Sequence, residues 1–358
     1  MIYAVIMAGG TGTRFWPRSR TTTPKQLLNI FDHETMIQKT VARVGGFAPS
    51  ERVMIVTNAL QQDGVQKQLP SLPLHNILIE PVGRNTAPCI GLAAIHILKN
   101  DPDGIMAVLA ADHLIEPNDK FCETIRFAAS VAADTGGLVT MGMIPSRPET
   151  GYGYIQFLEN DKIHLNGREA YRVKTFAEKP NFATAQRFLD SGDFLWNSGM
   201  FIWKASVILE LIEEFLPDLH DGLMEIRESI GTPAYDETLN RVYRSVKGIS
   251  IDYGVMEKAK NVFVIKGDFT WNDVGSWEEV YQLSPKDGSG NVVTGNTIVL
   301  DSANSLVHSG NKMIATVGVQ NLIIVDTGDA VLICDRSRAQ DVKKIVEELQ
   351  RKDLKELL

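Results

Sequence analysis

The 358-residue sequence contains few cysteines, no long hydrophobic run and less positive than negative charge. Its three cysteines, Cys89, Cys122 and Cys334, lie far apart and form no CxxC pair. This spacing indicates neither a disulfide framework nor a zinc knuckle, and it favours the cytoplasm as the compartment. The longest mainly apolar run, Cys89–Leu98, is ten residues long, whereas a membrane-spanning helix needs about 18. No membrane partner is therefore expected.

Charge and histidine content argue against two further classes of protein. Lys and Arg number 36 against 44 Asp and Glu, and the formal net charge of −8 argues against a nucleic-acid-binding protein. This charge still allows a locally basic pocket for a phosphorylated small molecule. The seven histidines are scattered without HxxxH or HExxH spacing, so no zinc site is indicated. Residues 1–7 have no basic region and lead directly into two glycines, which predicts a first strand rather than a signal peptide.

Up to about residue 145, short apolar runs typical of buried strands alternate with helical patterns. This alternation predicts βαβ units and a Rossmann-like α/β fold, with a mostly parallel sheet covered by helices on both faces. Residues 146–283 continue with strands and helices and contain no linker, so the first domain is expected to span residues 1–285. The predicted N-terminal strands are Tyr3–Met7, Val53–Thr57, Asn76–Ile79, Ile105–Leu109 and Leu138–Met143, and the helices between them include Ala87–Leu98 and Phe121–Ala133.

After Pro285 the sequence changes character and predicts a small all-β module over residues 286–358. A cluster of breaker residues at 287–290 is followed by short β-rich runs that turn residues separate at regular intervals. This spacing fits both a β-helix-like coil and a plain meander. The chain closes with a predicted amphipathic helix, Ala339–Leu349, whose apolar face could pack inside the chain or against a second chain.

A glycine-rich loop directly after the first strand is the strongest functional signal. Glycines let the backbone approach a ligand and turn its N–H groups inward, which makes a cradle for phosphate oxygens. The loop has no P-loop lysine after Gly12, and it has Phe15 where a dinucleotide-binding loop has its third glycine. A tight strand-to-helix turn is the alternative, but two cations that follow, Arg14 and Lys25, favour phosphate binding. The loop consists of Gly9, Gly10, Thr11, Gly12 and Thr13.

The glycine loop followed by Pro24-Lys25-Gln26 resembles the signature of the sugar-1-phosphate nucleotidylyltransferases, and residues 15–19 resemble their mannose-1-phosphate guanylyltransferase branch. The resemblance implies a GT-A-like nucleotidyltransferase domain with a small left-handed β-helix-like module appended. Some relatives carry a further phosphomannose isomerase domain, and because this sequence stops at Leu358, only transferase activity is expected. Further segments that resemble the family, in the same order, are 80–87, 110–113, 176–180, 196–201 and 271–277.

The resemblance also implies a Mg²⁺ site formed by Asp112 and Asp273. Asp112 follows the predicted strand Ile105–Leu109, at the carboxyl edge where open α/β sheets bind ligands. Mg²⁺ takes one or two carboxylates and completes its shell with phosphates and water. Without the resemblance, Asp112 would be interpreted as a helix cap or turn residue. Asp273 suits a metal ligand and the N-cap of the predicted helix Gly275–Leu283 equally well.

Three residues after the third strand, Glu80, Asn85 and Thr86, resemble the guanine-reading loop of the family. Guanine offers N1–H and an exocyclic amine as donors beside its O6 acceptor. A carboxylate with an amide or a backbone N–H would complement these groups, and a site built to bond them rejects other bases. Asn85 and Thr86 also suit an N-cap for the helix that begins at Ala87, and the two functions are compatible.

The resemblance assigns a further set of residues to the sugar phosphate. Lys179 is expected to bind the phosphate, and Glu178 to accept hydrogen bonds from sugar hydroxyls; an exposed ion pair is the alternative. Asn197 and the backbone around Gly153 would add contacts to the hydroxyls. Asp252 is a further candidate, which could equally cap the helix that follows it.

Together the resemblance implies transfer of a guanylyl group from GTP to mannose 1-phosphate, which yields GDP-mannose and diphosphate. The attacking sugar phosphate is already an anion, so no general base is required. Arg14, Lys25 and Mg²⁺ on Asp112 and Asp273 would stabilise charge instead. The alternatives are another sugar phosphate or nucleoside triphosphate, a catalytically silent regulatory subunit that binds nucleotide sugar, and a nicotinamide-dependent dehydrogenase. Members of the family often dimerise through the C-terminal module, so a homodimer is expected.

Overall fold

Apolar runs near the N-terminus form the centre of a large sheet in the computed structural model, which describes residues 1–358. The chain contains seventeen strands and ten α-helices. The strands are β1 (Ile2–Met7), β2 (Val53–Asn58), β3 (Ile77–Glu80), β4 (Ile105–Ala110), β5 (Leu114–Glu116), β6 (Leu138–Met143), β7 (Tyr154–Leu165), β8 (Arg168–Ala177), β9 (Phe194–Lys204), β10 (Val262–Lys266), β11 (Thr270–Asn272), β12 (Val292–Thr294), β13 (Thr297–Leu300), β14 (Leu306–His308), β15 (Ile314–Val317), β16 (Leu322–Asp326) and β17 (Val331–Asp335). The helices are α1 (Met36–Val44), α2 (Gln62–Gln68), α3 (Thr86–Asn100), α4 (Asn118–Thr135), α5 (Phe182–Ser191), α6 (Ala205–Phe215), α7 (Pro217–Ser229), α8 (Tyr235–Ser245), α9 (Trp277–Leu283) and α10 (Val342–Arg351). None of these helices combines the length and the hydropathy needed to cross a membrane.

Nine strands form one sheet in the order β3-β2-β1-β4-β9-β6-β10-β8-β7. The pairings of β3 with β2, β2 with β1, β1 with β4, and β6 with β10 are parallel. Only β8 and β9 run against the other seven strands. The prediction of a mostly parallel sheet is therefore confirmed, and each of the five predicted N-terminal strands overlaps an observed one. Residues 146–283 contribute four strands to the same sheet.

The central strands are apolar throughout because helices cover both faces of the sheet. Along β1, Ala4 and Ile6 belong to the apolar cluster on one face and Val5 to the cluster on the other, and all three are fully buried. Helices α1 and α4 pack on the first face, and α3, α6 and α7 pack on the second. Burial on both sides explains why these strands show no alternation of polar and apolar residues.

The C-terminal module is a β-helix-like coil. Strands β12, β14 and β16 pair in parallel, with Val292 beside Leu306 and Leu306 beside Ile323. Strands β13 and β15 form a second parallel pair, and β17 closes the first sheet by antiparallel pairing with β16. A meander would pair successive strands antiparallel, so the parallel pairing decides between the two predicted arrangements.

Helix α10 packs inside the chain, beneath the segment that follows the glycine loop. A 3₁₀ segment, Arg336–Asp341, precedes the helix, so the predicted start at Ala339 is three residues too early. The apolar face of the helix is buried in one cluster with aromatic side chains from elsewhere in the chain. The alternative in which this face binds a second chain is therefore wrong. The cluster includes Phe15, Trp16, Val274, Trp277, Val342, Val346 and Leu349.

Candidate active site

The glycine loop leaves the carboxyl end of β1 and folds directly onto Lys25. Gly12 has a φ of 60°, in the left-handed region that favours glycine. A Cβ atom at this position would lie 2.7 Å from the Cβ of Lys25 and 2.8 Å from its backbone nitrogen. Conformation and space therefore both require glycine here. At the ends of β1 and β4, Met7 pairs with Ala110, which brings the loop next to the segment that carries Asp112.

Two glutamine side chains hold the carbonyl groups of the glycine loop. Gln26 Nε2 donates hydrogen bonds to the carbonyl oxygens of Ala8 at 2.8 Å and Gly10 at 3.0 Å. Gln61 Nε2 donates to Gly10 at 3.2 Å, and Gln61 Oε1 accepts from Gln26. The backbone N–H groups of residues 9–12 donate to no protein acceptor, an arrangement suited to phosphate oxygens. Neither glutamine was predicted as a site residue from the sequence, and no local pattern signals Gln61.

Lys25 joins three segments that are distant in sequence. Its side chain is buried, and Nζ lies 3.0 Å from Oδ2 of Asp112. The same ammonium donates a hydrogen bond to the backbone carbonyl of Asp273. The ring of Phe15 lies 5.5 Å from Nζ and adds a cation–π attraction. The structure thus brings together three of the four predicted catalytic residues, while Arg14 lies exposed on the loop.

Asp112 is the ion-pair partner of Lys25 and not a helix cap. Helix α4 begins at Asn118 and is preceded by Pro117, so Asp112 is not a helix cap, but it does lie in the turn that follows β4. Burial opposes the charge of Asp112, but the attraction of Lys25, followed by that of His113, outweighs it. The pKa of the carboxyl is therefore held below its ordinary value, and the group is ionised at neutral pH.

A two-stranded antiparallel ribbon, β5 with β11, brings Asp273 to the same place as Asp112. In this ribbon Leu114 pairs with Asn272, so the residues just before β5 and just after β11 lie at the same end. A side-chain hydrogen bond adds a second tie, because Trp271 Nε1 donates to His113 Nδ1 at 3.1 Å. The two aspartates, far apart in sequence, are therefore carried by one rigid element.

The carboxylate of Asp273 is oriented by a tyrosine. The Tyr152 hydroxyl donates a hydrogen bond to Asp273 Oδ1 at 2.8 Å. Burial and the neighbouring Asp273 raise the pKa of Tyr152, so the hydroxyl stays protonated and remains a donor. The N-cap of α9 is Ser276, so the N-cap interpretation of Asp273 is wrong. Tyr152 was not predicted as a site residue from the sequence, because its side-chain role follows from a contact across 121 residues.

Glu80 is a buried carboxyl group beside the glycine loop. It is 5% exposed, and its Oε1 has no hydrogen-bond partner in the protein. Its Oε2 lies 3.5 Å from the position that a Cβ of Gly9 would take. Burial raises the pKa of Glu80 to about 7, and the Tyr243 hydroxyl offsets this only in part. A buried polar oxygen without a partner, next to a phosphate-type loop, is a ready acceptor for a ligand.

The polar side chains of Asn85 and Thr86 build the loop that follows Glu80. Asn85 is the N-cap of α3, and its side chain accepts a hydrogen bond from the Thr86 N–H at 2.9 Å. Thr86 Oγ1 accepts from the backbone N–H of Ile251 at 2.8 Å. The N-cap interpretation is therefore confirmed for Asn85, whereas Thr86 is the first residue of α3, one residue before the predicted start at Ala87. Arg84 is tied to the end of α8 through the carbonyl oxygens of Tyr243 and Arg244.

All five predicted sugar-phosphate residues lie in one cluster, in which each contacts at least one other. A Cβ on Gly153 would collide with Oε2 of Glu178 and lie 3.3 Å from Cβ of Asn197, so glycine permits this approach. Asn197 Nδ2 donates a hydrogen bond to Asp252 Oδ1 at 2.9 Å. Asp252 does not cap the helical turn that follows, because the N-cap of that turn is Ile251. Burial, followed by the charge of Glu178, raises the pKa of Asp252. The fifth residue, Lys179, is exposed and forms an ion pair with Glu178.

Comparisons with known proteins match nearly the whole chain. A family model described as nucleotidyl transferase matches residues 3–290, and one described as MannoseP isomerase/GMP-like beta-helix domain matches residues 295–349. Mannose-1-phosphate guanylyltransferases of Escherichia coli and Klebsiella pneumoniae are each 42% identical over 356 residues, 98% of this chain and 74% of the relative. A solved structure from Thermus thermophilus, described as a mannose-1-phosphate geranyltransferase, matches with a TM-score of 0.86 and 33% identity, covering 98% of this chain and 99% of that one.

The fold and the glycine-loop site, together with the family model over residues 3–290, define a nucleotidyl transferase. This assignment replaces the dehydrogenase alternative. Within that class, the chain belongs to the mannose-1-phosphate guanylyltransferase family, because relatives of that name match it at 42% identity almost from end to end. The appended β-helix-like module is part of the same resemblance.

The buried Glu80 predicts a pH-dependent stability that Glu80→Gln removes. The folded-state pKa of about 7 lies above the ordinary 4.5, so the folded chain holds this proton more tightly than the unfolded chain. The stabilisation is fully present below pH 4.5 and is lost as pH rises through about 7, by on the order of 3 kcal/mol in total. Urea unfolding at pH 5 and pH 8 gives the free energy of unfolding of both proteins. Between pH 5 and pH 8 this free energy should fall more for wild type than for Glu80→Gln.

Glu228→Gln, at an exposed glutamate on α7, is the control and should track wild type at both pH values. If the free energies of unfolding of wild type and Glu80→Gln differed by the same amount at the two pH values, the raised pKa of Glu80 would be contradicted.

Proposed function

We propose that the chain transfers the guanylyl group of GTP to mannose 1-phosphate, forming GDP-mannose and releasing diphosphate. The observation that carries this proposal is the Lys25 ammonium, held between Asp112 and Asp273 directly against the glycine loop. An immobile cation beside unpaired N–H donors suits a triphosphate. The two aspartates next to it suit the divalent cation that accompanies a triphosphate.

The chemistry is an in-line displacement at the α-phosphorus of GTP. An oxygen of the sugar phosphate forms the new P–O bond, and the bond to diphosphate breaks with its electron pair leaving on the diphosphate. The obstacles are repulsion between two anionic substrates and the charge that grows on the leaving group. The backbone of residues 9–13 would bind the triphosphate, while Lys25 and Arg14 neutralise its α-phosphoryl oxygens and the diphosphate. The nucleophile is already ionised, so no residue has to remove a proton.

Mg²⁺ is the cofactor that we propose for this site, held by Asp112 and Asp273. No group of three or more His, Cys, Asp or Glu side chains is arranged to hold a metal. Mg²⁺ needs only one or two carboxylates, because phosphate and water oxygens complete its shell. The ion pair of Lys25 with the Asp112 carboxylate supports the affinity of that residue for positive charge, whereas Lys25 contacts Asp273 only at its backbone carbonyl. When bound, the ion would polarise the phosphoryl oxygens of the substrates.

Glu80 is the proposed reader of guanine. Its carboxylate, with Oε1 unpartnered and Oε2 beside Gly9, would accept hydrogen bonds from N1–H and the exocyclic amine of the base, which adenine and the pyrimidines do not offer in this arrangement. The side chains of Asn85 and Thr86 are already hydrogen-bonded within the protein. Their proposed role is to hold the loop backbone in a conformation in which its own polar groups complete the base site.

The cluster around Gly153 is the proposed site for the sugar. Glu178, Asn197 and Asp252 supply acceptors and an amide donor for hydroxyl groups, and the missing side chain at Gly153 leaves them room to approach. Lys179 is exposed beside them and would bind the phosphate of the sugar, exchanging its bond to Glu178 for a bond to a doubly charged anion.

We also propose a homodimer formed through the outer face of the C-terminal module. Strands β13 and β15, with Met313 just before β15, carry an exposed apolar patch in which Ile298, Leu300, Met313 and Val317 are between 46% and 67% exposed. Leu300 pairs directly with Val317, so these side chains form one surface. A flat apolar face of this kind is complementary to a second copy of itself across a two-fold axis.

The cytoplasm is the compartment that we propose for the reaction. All three cysteines are free, and Cys89 and Cys122 are buried. Unpaired thiols are the ordinary state of cysteine in a reducing compartment.

Lys25→Ala and Asp112→Ala should each lower kcat for guanylyl transfer by at least about 10²-fold, the effect of removing one charged stabiliser of the transition state. Steady-state measurement of diphosphate release gives the rates. Asp134→Ala, which removes an exposed aspartate on α4, should retain wild-type kcat. Near-wild-type turnover in either site variant would refute its assigned role.

The substrate pair is tested by mixing the purified chain with each of several nucleoside triphosphates and sugar 1-phosphates and recording diphosphate release. GTP with mannose 1-phosphate should give the highest kcat/KM, because the Glu80 oxygen complements guanine. A higher value for another pair would move the assignment to that pair. Nucleotide binding without release from any pair would identify a catalytically silent regulatory subunit.

Light scattering after size-exclusion chromatography should give twice the chain mass of 39.6 kDa for wild type. Leu300→Asp and Val317→Asp should shift it to the monomer, because a charge in the centre of an apolar interface is left without solvent or partner. Leu74→Asp is the matched control, since Leu74 is 67% exposed outside the module. A monomeric wild type, or variants that remain dimers, would refute this interface.

A further inference from the structure

The C-terminal module reaches the segment that directly follows the glycine loop. We call residues 15–20 the signature segment; it begins where the proposed triphosphate loop ends. Trp16 Nε1 donates a hydrogen bond to the backbone carbonyl of Leu357 at 2.9 Å. The Trp16 carbonyl in turn accepts from Trp277 Nε1 at 3.1 Å, and the Phe15 and Trp277 rings lie 5.3 Å apart. Indole hydrogen bonds and aromatic packing thus fix the first half of the segment.

The end of the signature segment is held by charge. Arg20 Nη2 lies 2.9 Å from Oδ2 and 3.2 Å from Oδ1 of Asp329, so it contacts both carboxylate oxygens. Arg20 Nη1 donates to the Pro17 carbonyl within the segment, and its guanidinium lies 5.8 Å from the Trp16 ring. The side chain of Arg20 is largely buried, whereas that of Asp329 is half exposed. Arg20 therefore connects the backbone of the segment to the module through a single carboxylate.

Asp329 is presented by a tight turn between β16 and β17. Thr327 N–H donates to the Ala330 carbonyl at 3.0 Å, and Gly328 between them has a φ of 91°. Thr327 Oγ1 donates to Asp329 Oδ1 at 2.7 Å, and this bond and Arg20 lower the pKa of Asp329 to about 2. The carboxylate is thus ionised at neutral pH, and the bond from Thr327 adds to the contact with Arg20 in orienting it. The hydrogen bonds of the turn therefore hold the Asp329 carboxylate in the position where Arg20 contacts it.

We propose that Asp329 is a positioning residue for the nucleotide loop, and that it acts by holding Arg20 and hence the signature segment in place beneath residues 9–14. This inference rests on the proposed function, because the loop is taken to bind the triphosphate. A half-exposed ion pair contributes little to the free energy of unfolding. Its effect is instead expected in the affinity for nucleotide, since misplacement of the segment moves the N–H donors of the adjoining loop.

The test compares Asp329→Asn with wild type in guanylyl transfer and in calorimetric binding of GTP. We expect KM and Kd for GTP to rise about 3- to 10-fold, the range of a charge-assisted bond, with KM for mannose 1-phosphate and Tm unchanged. Asp329→Glu, which keeps the charge, should recover most of the affinity. Asp301→Asn makes the same change at an exposed aspartate of the module without an ion pair, and it should match wild type.

A double-mutant cycle with Arg20→Gln separates positioning from a general structural effect. If Asp329 acts through Arg20, Asp329→Asn adds no further rise in the GTP Kd in the Arg20→Gln background. Additive effects, or a rise in both substrate KM values together with a lower Tm, would overturn the proposal, as would an unchanged GTP Kd in Asp329→Asn. Absence of guanylyl transfer by wild type would refute the proposed function instead, and the cycle would then be measured with whichever nucleotide wild type binds.

Discussion

The ammonium group of Lys25 is the constraint on which the rest of the site depends. A buried cation is costly unless it is paired, and this one has two partners from distant segments, the carboxylate of Asp112 and the backbone carbonyl of Asp273. Both partners are available only when β1 and β4 lie side by side and the ribbon of β5 and β11 has formed. Gly12 must also remain glycine, because its backbone lies against Lys25. One charge therefore couples the sheet, the ribbon and the glycine loop.

The same chemical group has opposite properties at the two ends of the site. The carboxyl of Asp112 stays ionised because Lys25 and His113 outweigh the effect of burial, and its pKa is lowered. The carboxyl of Glu80 has no cation beside it, and burial raises its pKa to about 7. The environment of each carboxyl group, rather than its residue type, thus makes Asp112 suited to a cation and Glu80 suited to the hydrogen-bond donors of a base. The pair fits a substrate that has an anionic phosphate chain at one end and a neutral base at the other.

Side chains of the C-terminal module pack in the apolar cluster that supports the site. The apolar cluster that contains α10 also contains Phe15, which lies beneath the Lys25 ammonium, and Val274, which follows Asp273. Trp277 adds a hydrogen bond to the carbonyl of Trp16 within that cluster. The side chains that support the glycine loop therefore come from both ends of the chain. With the apolar face of α10 buried inside the molecule, the exposed large apolar side chains of the module lie at β13 and β15 and also on β12 and β17, at Val293, Val331 and Ile333.

The sequence by itself determined the class of fold, the buried strands and the residues of the glycine loop. These follow from local pattern: apolar runs of strand length require burial on both sides, and a run of glycines directly after a strand, with Arg14 and Lys25 following it, marks the loop. Only the tertiary structure decided that Gln26 and Gln61 hold the loop carbonyls, that Tyr152 orients Asp273, and that the module forms parallel coils. Each of these depends on a contact between segments far apart in the chain, and a side chain carries no local sign of its distant partner. Its role exists only once the backbone has brought the two together.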